Sequence, residues 1–597
     1  MELNGDGAAA PSTSDRVSVV ELGAETRVAV FARLEGAYRL LTVAGAPSTL
    51  DAPHFDLTPS FERAVAEAES LAGAYFAIPE SSARPHGEPR TPPIAAAVGR
   101  GLAPGPSCFV VSNLVTRDLD ALEAALTERE FVVIGRATTA AREFRDRIDG
   151  PASVDVITSQ RPSVVVVALT EDRDGQGLAY MADLLIGGLA GRESSYVPVI
   201  AILYGGELDD RALASLGQAF PVHAVSVQGG GVDDPLDMTE PNALLDDVQQ
   251  TVKARRFAGR TVPEEVADAP AHATAAALGE AVRELATQQS LEVAAVSLDD
   301  DQVSIVGFQA GSGVSVGLGQ GHDLARPYHI ALQTPIERVA QWAPEEPIPQ
   351  ALRFTALNRS AHPAAVAATP AELQLSHAVF TAAARQALRA SEDGRSPLDH
   401  EALDLIILTG RAARGAGRSV QAALLLVNIL EPVGVSQLAI DPTSSLAMQG
   451  ALARTGARVA FDSTLVPLGV CVAPRGRAKA GEPAVLVDVR PSSGARIERE
   501  VSAGALDVIQ WDARVPAEVR VWPQARFDVG LGNGRPARLK ANVGAGLVGL
   551  IVDARGRPLV WPDEPDERQA RLQQWLRSMD AFPPAATAVA PARPHGG

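Results

Sequence analysis

One pattern constrains this chain more than any other. Three strand-like runs, Val17–Leu22, Val28–Phe31 and Tyr38–Val43, are joined by the turn sequences GAET and RLEGA. A second set, Leu291–Leu298, Gln302–Phe308 and Gly313–Gly317, repeats the layout about 275 residues later. Helical stretches and continuous apolar strand runs follow each set. Runs with no polar alternation, separated by helices, belong to parallel sheets covered on both faces. The expectation is therefore an α/β protein with two like halves.

The remaining text fills in the plan. A helix is expected over Pro59–Leu71, then a Pro-rich connection over residues 80–98. Strands are expected at Cys108–Val111, Phe131–Ile134, Ser163–Leu169, Val197–Leu203 and Val222–Val227. Helices at Asp118–Thr127 and Gly177–Leu189 separate some of them, and 257–272 reads as a linker. After a helix at Ala273–Gln289, buried strands are expected at Leu403–Leu408 and Ser436–Ile440. From 467 to 560 helical patterns vanish and short strand runs replace them, predicting a small β-rich domain. A helix at Glu564–Met579 closes the fold. The expected divisions are a disordered tail 1–16, a first half 17–262, a second half 263–466, the β-rich domain 467–560, and a terminal helix and tail 561–597.

Composition excludes several function classes. The chain has 597 residues and a net charge of −19, so nucleic acid and anionic membranes are poor partners. Its only lysines, Lys253, Lys479 and Lys540, sit outside any GxxxxGK[ST] loop, which rules out a P-loop NTPase. Its only cysteines, Cys108 and Cys471, are far apart, which removes CxxC redox chemistry and cysteine-rich metal sites. The acidic N-terminus lacks a signal-peptide core, and the longest apolar run, Ala422 to Leu430, is too short to span a bilayer. These features predict a cytoplasmic protein.

Particular stretches carry a family resemblance. They are LEGAYRLLTVAGAPSTLDAP (34–53), TPIERVAQWAP (334–344), LLLVNILEPVGVSQLAIDP (424–442) and RFDVGLGNGRPARLKANVGAGLVGLIVDARGRPL (526–559). The chain resembles the glutamate mutase accessory family, also called MutL or glutamate mutase L, over roughly 17–580. That family is similar to the actin/hexokinase/Hsp70 (ASKHA) superfamily. The resemblance implies duplicated RNase H-like halves, ATP and Mg²⁺ as ligands, and an adenosylcobalamin-dependent mutase as protein partner. It also implies a chaperone or reactivation role.

The same resemblance locates the nucleotide-binding turns, and each departs from the family pattern. In VVELGAETRVAVF the resemblance places the first loop, where the family pattern is close to Asp-x-Gly-Ser-Thr-x-Thr-Lys and this chain is matched one position short. Glu21 stands for the aspartate that orders Mg²⁺, Gly23 and Thr26 are kept, and Arg27 stands for the lysine. Ala24 replaces the serine, and Glu25 takes a hydroxyl position, where it would repel phosphate. The competing and favoured reading is an ordinary hairpin turn. In the second meander Ser297, Asp299, Asp300 and Asp301 replace Asp, Gly and hydroxyl positions. The strand before Glu171 and Asp172 ends in Ala168-Leu169 where the superfamily has glycines. The nucleoside turn keeps Gly410, but Arg411 replaces the second glycine. Gly319 and Gly321, in GLGQG, could approach a ligand; GLGNG (530–534) reads as a turn.

Other motifs fail on context. Gly313-Val314-Ser315-Val316-Gly317 matches GxSxG but overlaps an expected strand instead of a strand–turn–helix elbow. His400-Glu401 begins an HExxH look-alike whose fifth residue is Asp404. No catalytic residue is assigned. The expected function is an accessory or scaffold protein with weak or absent ATPase activity. The alternatives are an active ATP-dependent reactivation factor and, behind it, a small-molecule kinase.

Overall fold

The computed structural model describes residues 16–50, 54–75, 92–99, 107–128, 131–138, 157, 162–170, 176–187, 197–206, 210–229, 234–255, 260–272, 274–299, 302–308, 322–329, 336–343, 367, 369–392, 403–461, 464–539, 544–559 and 561–582. The chain divides into two compact units interleaved in sequence. Met1–Pro47, Phe61–Ala95 and Ala275–Gly597 form the first; Ser48–Ser60 and Ala96–Thr274 form the second.

The first meander is present as expected. Strands β1 (Arg16–Leu22), β2 (Glu25–Leu34) and β3 (Ala37–Pro47) each run antiparallel to the one before. The helix Thr58–Tyr75 follows. The Pro-rich connection then ends in an unexpected strand, β4 (Ile94–Gly99). Half of its IAAAVG sequence is alanine, a weak strand former, yet Ala96, Ala97 and Val98 are buried.

The α/β pattern of 107–256 forms a five-stranded sheet of β5 (Ser107–Ser112), β6 (Val132–Thr138), β7 (Val164–Leu169), β8 (Val199–Tyr204) and β9 (Val222–Ser226). The order is β6-β5-β7-β8-β9 and every pairing is parallel. Both faces are covered: Val165, Val167, Ile200 and Ile202 lie in one core, and Val164, Val166, Val199 and Ala201 in the other. This is why the strands read as unbroken apolar runs. The expected linker holds a helical turn, Glu264–Ala267, and a short strand, β10 (Ala271–His272), which pairs in parallel with β4. The resulting strand order is β10-β4-β1-β2-β3.

The second meander comprises β11 (Val293–Leu298), β12 (Gln302–Phe308) and β13 (His322–His329). Its third strand is β13; Gly313–Gly317, where the pattern puts it, lies outside the described residues. Next come β14 (Leu405–Thr409) and β15 (Gly434–Ile440), parallel to β11 and to each other's direction. Parallel neighbours need crossovers, supplied by helices Pro370–Glu392 and Ser419–Leu430. The helix Leu446–Arg454 packs closely on Thr274–Gln289: a Cβ on Gly450 would meet the Ala277 carbonyl oxygen at 1.8 Å.

The β-rich stretch is not a separate layer. Strand β16 (Val466–Ala473) adds to β15, and the sheet runs β13-β12-β11-β14-β15-β16-β24-β20. Its last two members, β20 (Leu506–Ile509) and β24 (Gly549–Asp553), come from the expected β domain. Of the strands between, β17 (Arg475–Gly476) pairs with β22 (Phe527–Asp528). The rest, β18 (Pro483–Pro491), β19 (Ile497–Ser502), β21 (Ala517–Pro523) and β23 (Ala537–Arg538), form a four-stranded sheet, β19-β18-β21-β23. The valines of β18, β21, β16 and β24 share one core, so the stretch cannot be parted from the larger sheet without exposing apolar surface. The closing helix Pro565–Ser578 buries Leu572 and Trp575 in the other core of that sheet.

A buried charge cluster fastens these parts. Asp553 at the end of β24 is fully buried and accepts from Arg555 at 2.8 Å and Arg557 at 2.7 Å. Burial alone would raise its pKa, but the two guanidinium groups hold it far below the usual carboxylate range. Arg555 also donates to the Asn428 Oδ1 at 2.8 Å and lies 4.9 Å from the centroid of Trp575. Arg557 donates to the Pro432 carbonyl. Among the described residues no helix is long and apolar enough to cross a membrane.

Two expectations follow. Asp553→Ala strands two buried guanidinium groups and should cost about 3–5 kcal/mol, read from the urea midpoint. Both thiols are buried, and burial pushes each pKa up to about 12. Neither should react with a disulfide reagent at pH 8 until its unit opens, so labelling of Cys108 and Cys471 reports the two units separately.

Candidate functional site

Four turns of the first unit meet: the β1–β2 turn and the segments following β11, β14 and β15. The last three are carboxyl ends of parallel strands, where open α/β sheets place their ligands.

The β1–β2 turn is set by its register. Leu22 pairs with Thr26, and the Gly23 N–H donates to the Glu25 carbonyl at 3.2 Å. Glu21 and Arg27 then stand directly opposite across the strands and form an ion pair. Thr26 is fully buried, which takes its hydroxyl away from the turn's open side. Arg27 is buried as well. Its guanidinium donates to the Ser444 carbonyl at 3.1 Å and to the Thr443 carbonyl, binding the hairpin to the turn after β15.

Glu25 points to the segment after β14. Its carboxylate meets Arg414 at 2.6 Å and Arg411 at 3.9 Å. Burial raises its pKa; the hydrogen bond and charge of Arg414, then Arg411 and Arg27, outweigh that and hold it below the usual range. The carboxylate expected to repel phosphate is thus already matched by two arginines.

Gly410 has φ of 79°, and a Cβ there would meet the Leu298 backbone at 2.8–2.9 Å. The close approach that requires glycine is to the neighbouring strand end of β11. Asp299 caps the arrangement: it accepts the Arg411 N–H at 3.0 Å and the Ser297 hydroxyl at 3.2 Å. Asp441, fully buried at the end of β15, accepts from the Thr409 hydroxyl, the Thr443 hydroxyl and the Leu446 N–H at 2.8–2.9 Å. The Ser444 hydroxyl donates to the Gly410 carbonyl at 2.6 Å.

The sequence-derived residues therefore divide. Glu21, Gly23, Thr26, Arg27 and Gly410 lie on turns of this one cluster. Gly319 and Gly321, Asp300 and Asp301, Glu171 and Asp172, the GxSxG serine Ser315, and His400 and Glu401 lie outside the described residues. Arg414, Asp441, Thr443 and Ser444 were not singled out. Their signal was the DPTSS run after an apolar strand and an arginine one helical turn beyond Gly410. As a Mg²⁺ ligand Glu21 fits poorly, because Arg27 occupies its carboxylate; among the described residues no three acidic, His or Cys side chains converge as a metal site. In the GLGNG turn the N–H groups of Gly530, Leu531 and Gly532 all donate to the Asp528 carboxylate at 2.7–3.0 Å, which uses up that turn's anion-binding capacity.

No protein-family model and no curated protein matches the chain. Among solved structures, a nucleotide-free acetone carboxylase, from work on ATP-dependent acetone carboxylation, matches with a TM-score of 0.26 and 9% identity, covering 81% of this chain and 80% of that one. A likeness of that size assigns neither a fold family nor an activity.

The Glu25 pair should be sensitive to acid. A lowered pKa means its stabilisation is present above the unfolded value, about 4.3, and is lost as pH falls through the folded value. Glu25→Gln should therefore lower the unfolding temperature at pH 7, and the difference from the parent protein should vanish as pH drops below that range.

Proposed function

We propose that this chain is an accessory or scaffold protein built on two RNase H-like halves of ASKHA type, whose nucleotide cleft no longer turns over ATP. The observation carrying this reading is the ion pairing of Glu25 with Arg414 and Arg411. Groups that should face a triphosphate face each other instead. The two strand orders support the architecture. In β10-β4-β1-β2-β3 and in β15-β14-β11-β12-β13, a meander's first strand is flanked by two further strands in sequence order.

The partner follows from the resemblance of 424–442 and 526–559 to the glutamate mutase L family: an adenosylcobalamin-dependent mutase, bound as a protein surface. Those two stretches hold Asn428, Pro432, Asp553 and Arg557, which bond to one another through the buried charge cluster. They are therefore a structural frame in this protein, and the docking surface is to be sought outside them.

The test is phosphate release from Mg-ATP by the purified protein, with and without a candidate mutase, beside Glu21→Ala. Release at the level of the blank in all four samples is expected. Turnover that Glu21→Ala abolishes would reject the scaffold reading in favour of an active reactivation factor.

A further inference from the structure

We infer that Arg411 and Arg414 form an anion seat that Glu25 occupies as an internal ligand, and that phosphate-bearing anions compete with Glu25 for it. The inference rests on the cleft reading above and adds the residue that decides what the cleft admits.

The geometry has three parts. The two arginines converge on one carboxylate, with Arg414 in contact at 2.6 Å and Arg411 at 3.9 Å. Planar guanidinium groups suit phosphate oxygens as well as carboxylate oxygens. The seat is also reachable: the side chains of Glu25, Arg411 and Arg414 are 24%, 15% and 30% exposed. Finally, Glu25 is the first residue of β2 and stands outside the β1–β2 pairs, which run from Arg16 with Ala32 to Leu22 with Thr26, so its carboxylate can leave without disturbing that register, which Arg27 holds from its own position. Arg27 is committed to Glu21 and to two carbonyl groups and does not belong to the seat. Asp299 and Glu21 add negative charge nearby and set a limit on affinity.

The chain uses the same device elsewhere. At the GLGNG turn, Asp528 takes three N–H groups that would otherwise hold an anion. That turn is closed by hydrogen bonds from consecutive backbone groups. The Glu25 seat is likewise closed by one carboxylate, but it presents guanidinium side chains in place of backbone N–H groups once that carboxylate is removed.

The experiment is calorimetric titration with pyrophosphate at constant ionic strength, with ADP and inorganic phosphate as separate arms. Wild type, Glu25→Gln and the double variant Glu25→Gln/Arg414→Ala are compared. Removing the internal carboxylate should tighten pyrophosphate binding by about tenfold or more, and the double variant should lose the gain. ADP binding as tightly as pyrophosphate, with phosphate weaker, identifies a diphosphate as the recognised group. A folded Glu25→Gln that binds no better than wild type overturns the inference. Should that variant not fold, unfolding temperature in the wild type decides: pyrophosphate must raise it over chloride at equal ionic strength, and must not do so in Arg414→Ala. ATP turnover by the wild type would instead reject the proposed function, so the two failures are distinct.

Discussion

A carboxylate with no access to water, Asp553, is the constraint on which the first unit depends. It can exist as an anion only because Arg555 and Arg557 reach it from the same strand end. Those arginines then have donors to spare, and they spend them on Asn428 and Pro432, at the end of the long apolar helix and just beyond it. Arg385 adds a second, partly buried pair with Glu431, and Glu431 accepts the Leu559 N–H at 3.0 Å. Trp575 from the last helix closes the cluster over Arg555. Segments more than a hundred residues apart meet in this cluster, and removing Asp553 would leave two buried guanidinium groups without their carboxylate.

The same logic shapes the candidate site. Among the described residues, anion-attracting groups there are met by carboxylates of the chain itself: Arg27 by Glu21, Arg414 by Glu25, the Arg411 N–H by Asp299, and the Leu446 N–H by Asp441. In a nucleotide-binding protein such donors are held for the ligand. Here they hold neighbouring turns together, and the hairpin, the β14 turn and the β15 turn form one bonded unit. Each of these carboxylates thus has a compensating partner in the chain. A carboxylate placed at Glu25 would be destabilising without Arg414, and the two belong together as a pair.

Much of the fold was legible because hydrophobic period is a local signal. Both meanders' first strands, the five parallel strands and the helices expected at Pro59–Leu71, Asp118–Thr127, Ala273–Gln289 and Glu564–Met579 stand close to where their apolar patterns put them. The helices Thr239–Arg255, Pro370–Glu392 and Ser419–Leu430 were not named from the sequence. The misses have identifiable causes. Strand β4 is alanine-rich and follows a Pro-rich stretch, so composition hid it. Strand β10 is two residues long, below what any periodicity can register. The β-rich stretch read as its own domain because its strands are short and its helices absent. What the pattern could not say is that β20 and β24 pair with β16, since pairing partners far apart in sequence leave no local trace.

The site shows the same division. By itself the sequence determined that a P-loop, CxxC redox chemistry and cysteine-rich metal sites are excluded, that a three-strand pattern occurs twice, and that carboxylates stand in the turn after the first strand of each. Those conclusions need only residue identity and spacing. Only the tertiary structure decided what the carboxylates do. Glu25 and Arg414 are separated by 389 positions, yet they lie 2.6 Å apart. An isolated carboxylate beside a phosphate site is a repulsion, whereas one seated between two guanidinium groups is a bond. Charge acts through space with a strength set by distance and burial, and neither quantity is written in the order of the residues.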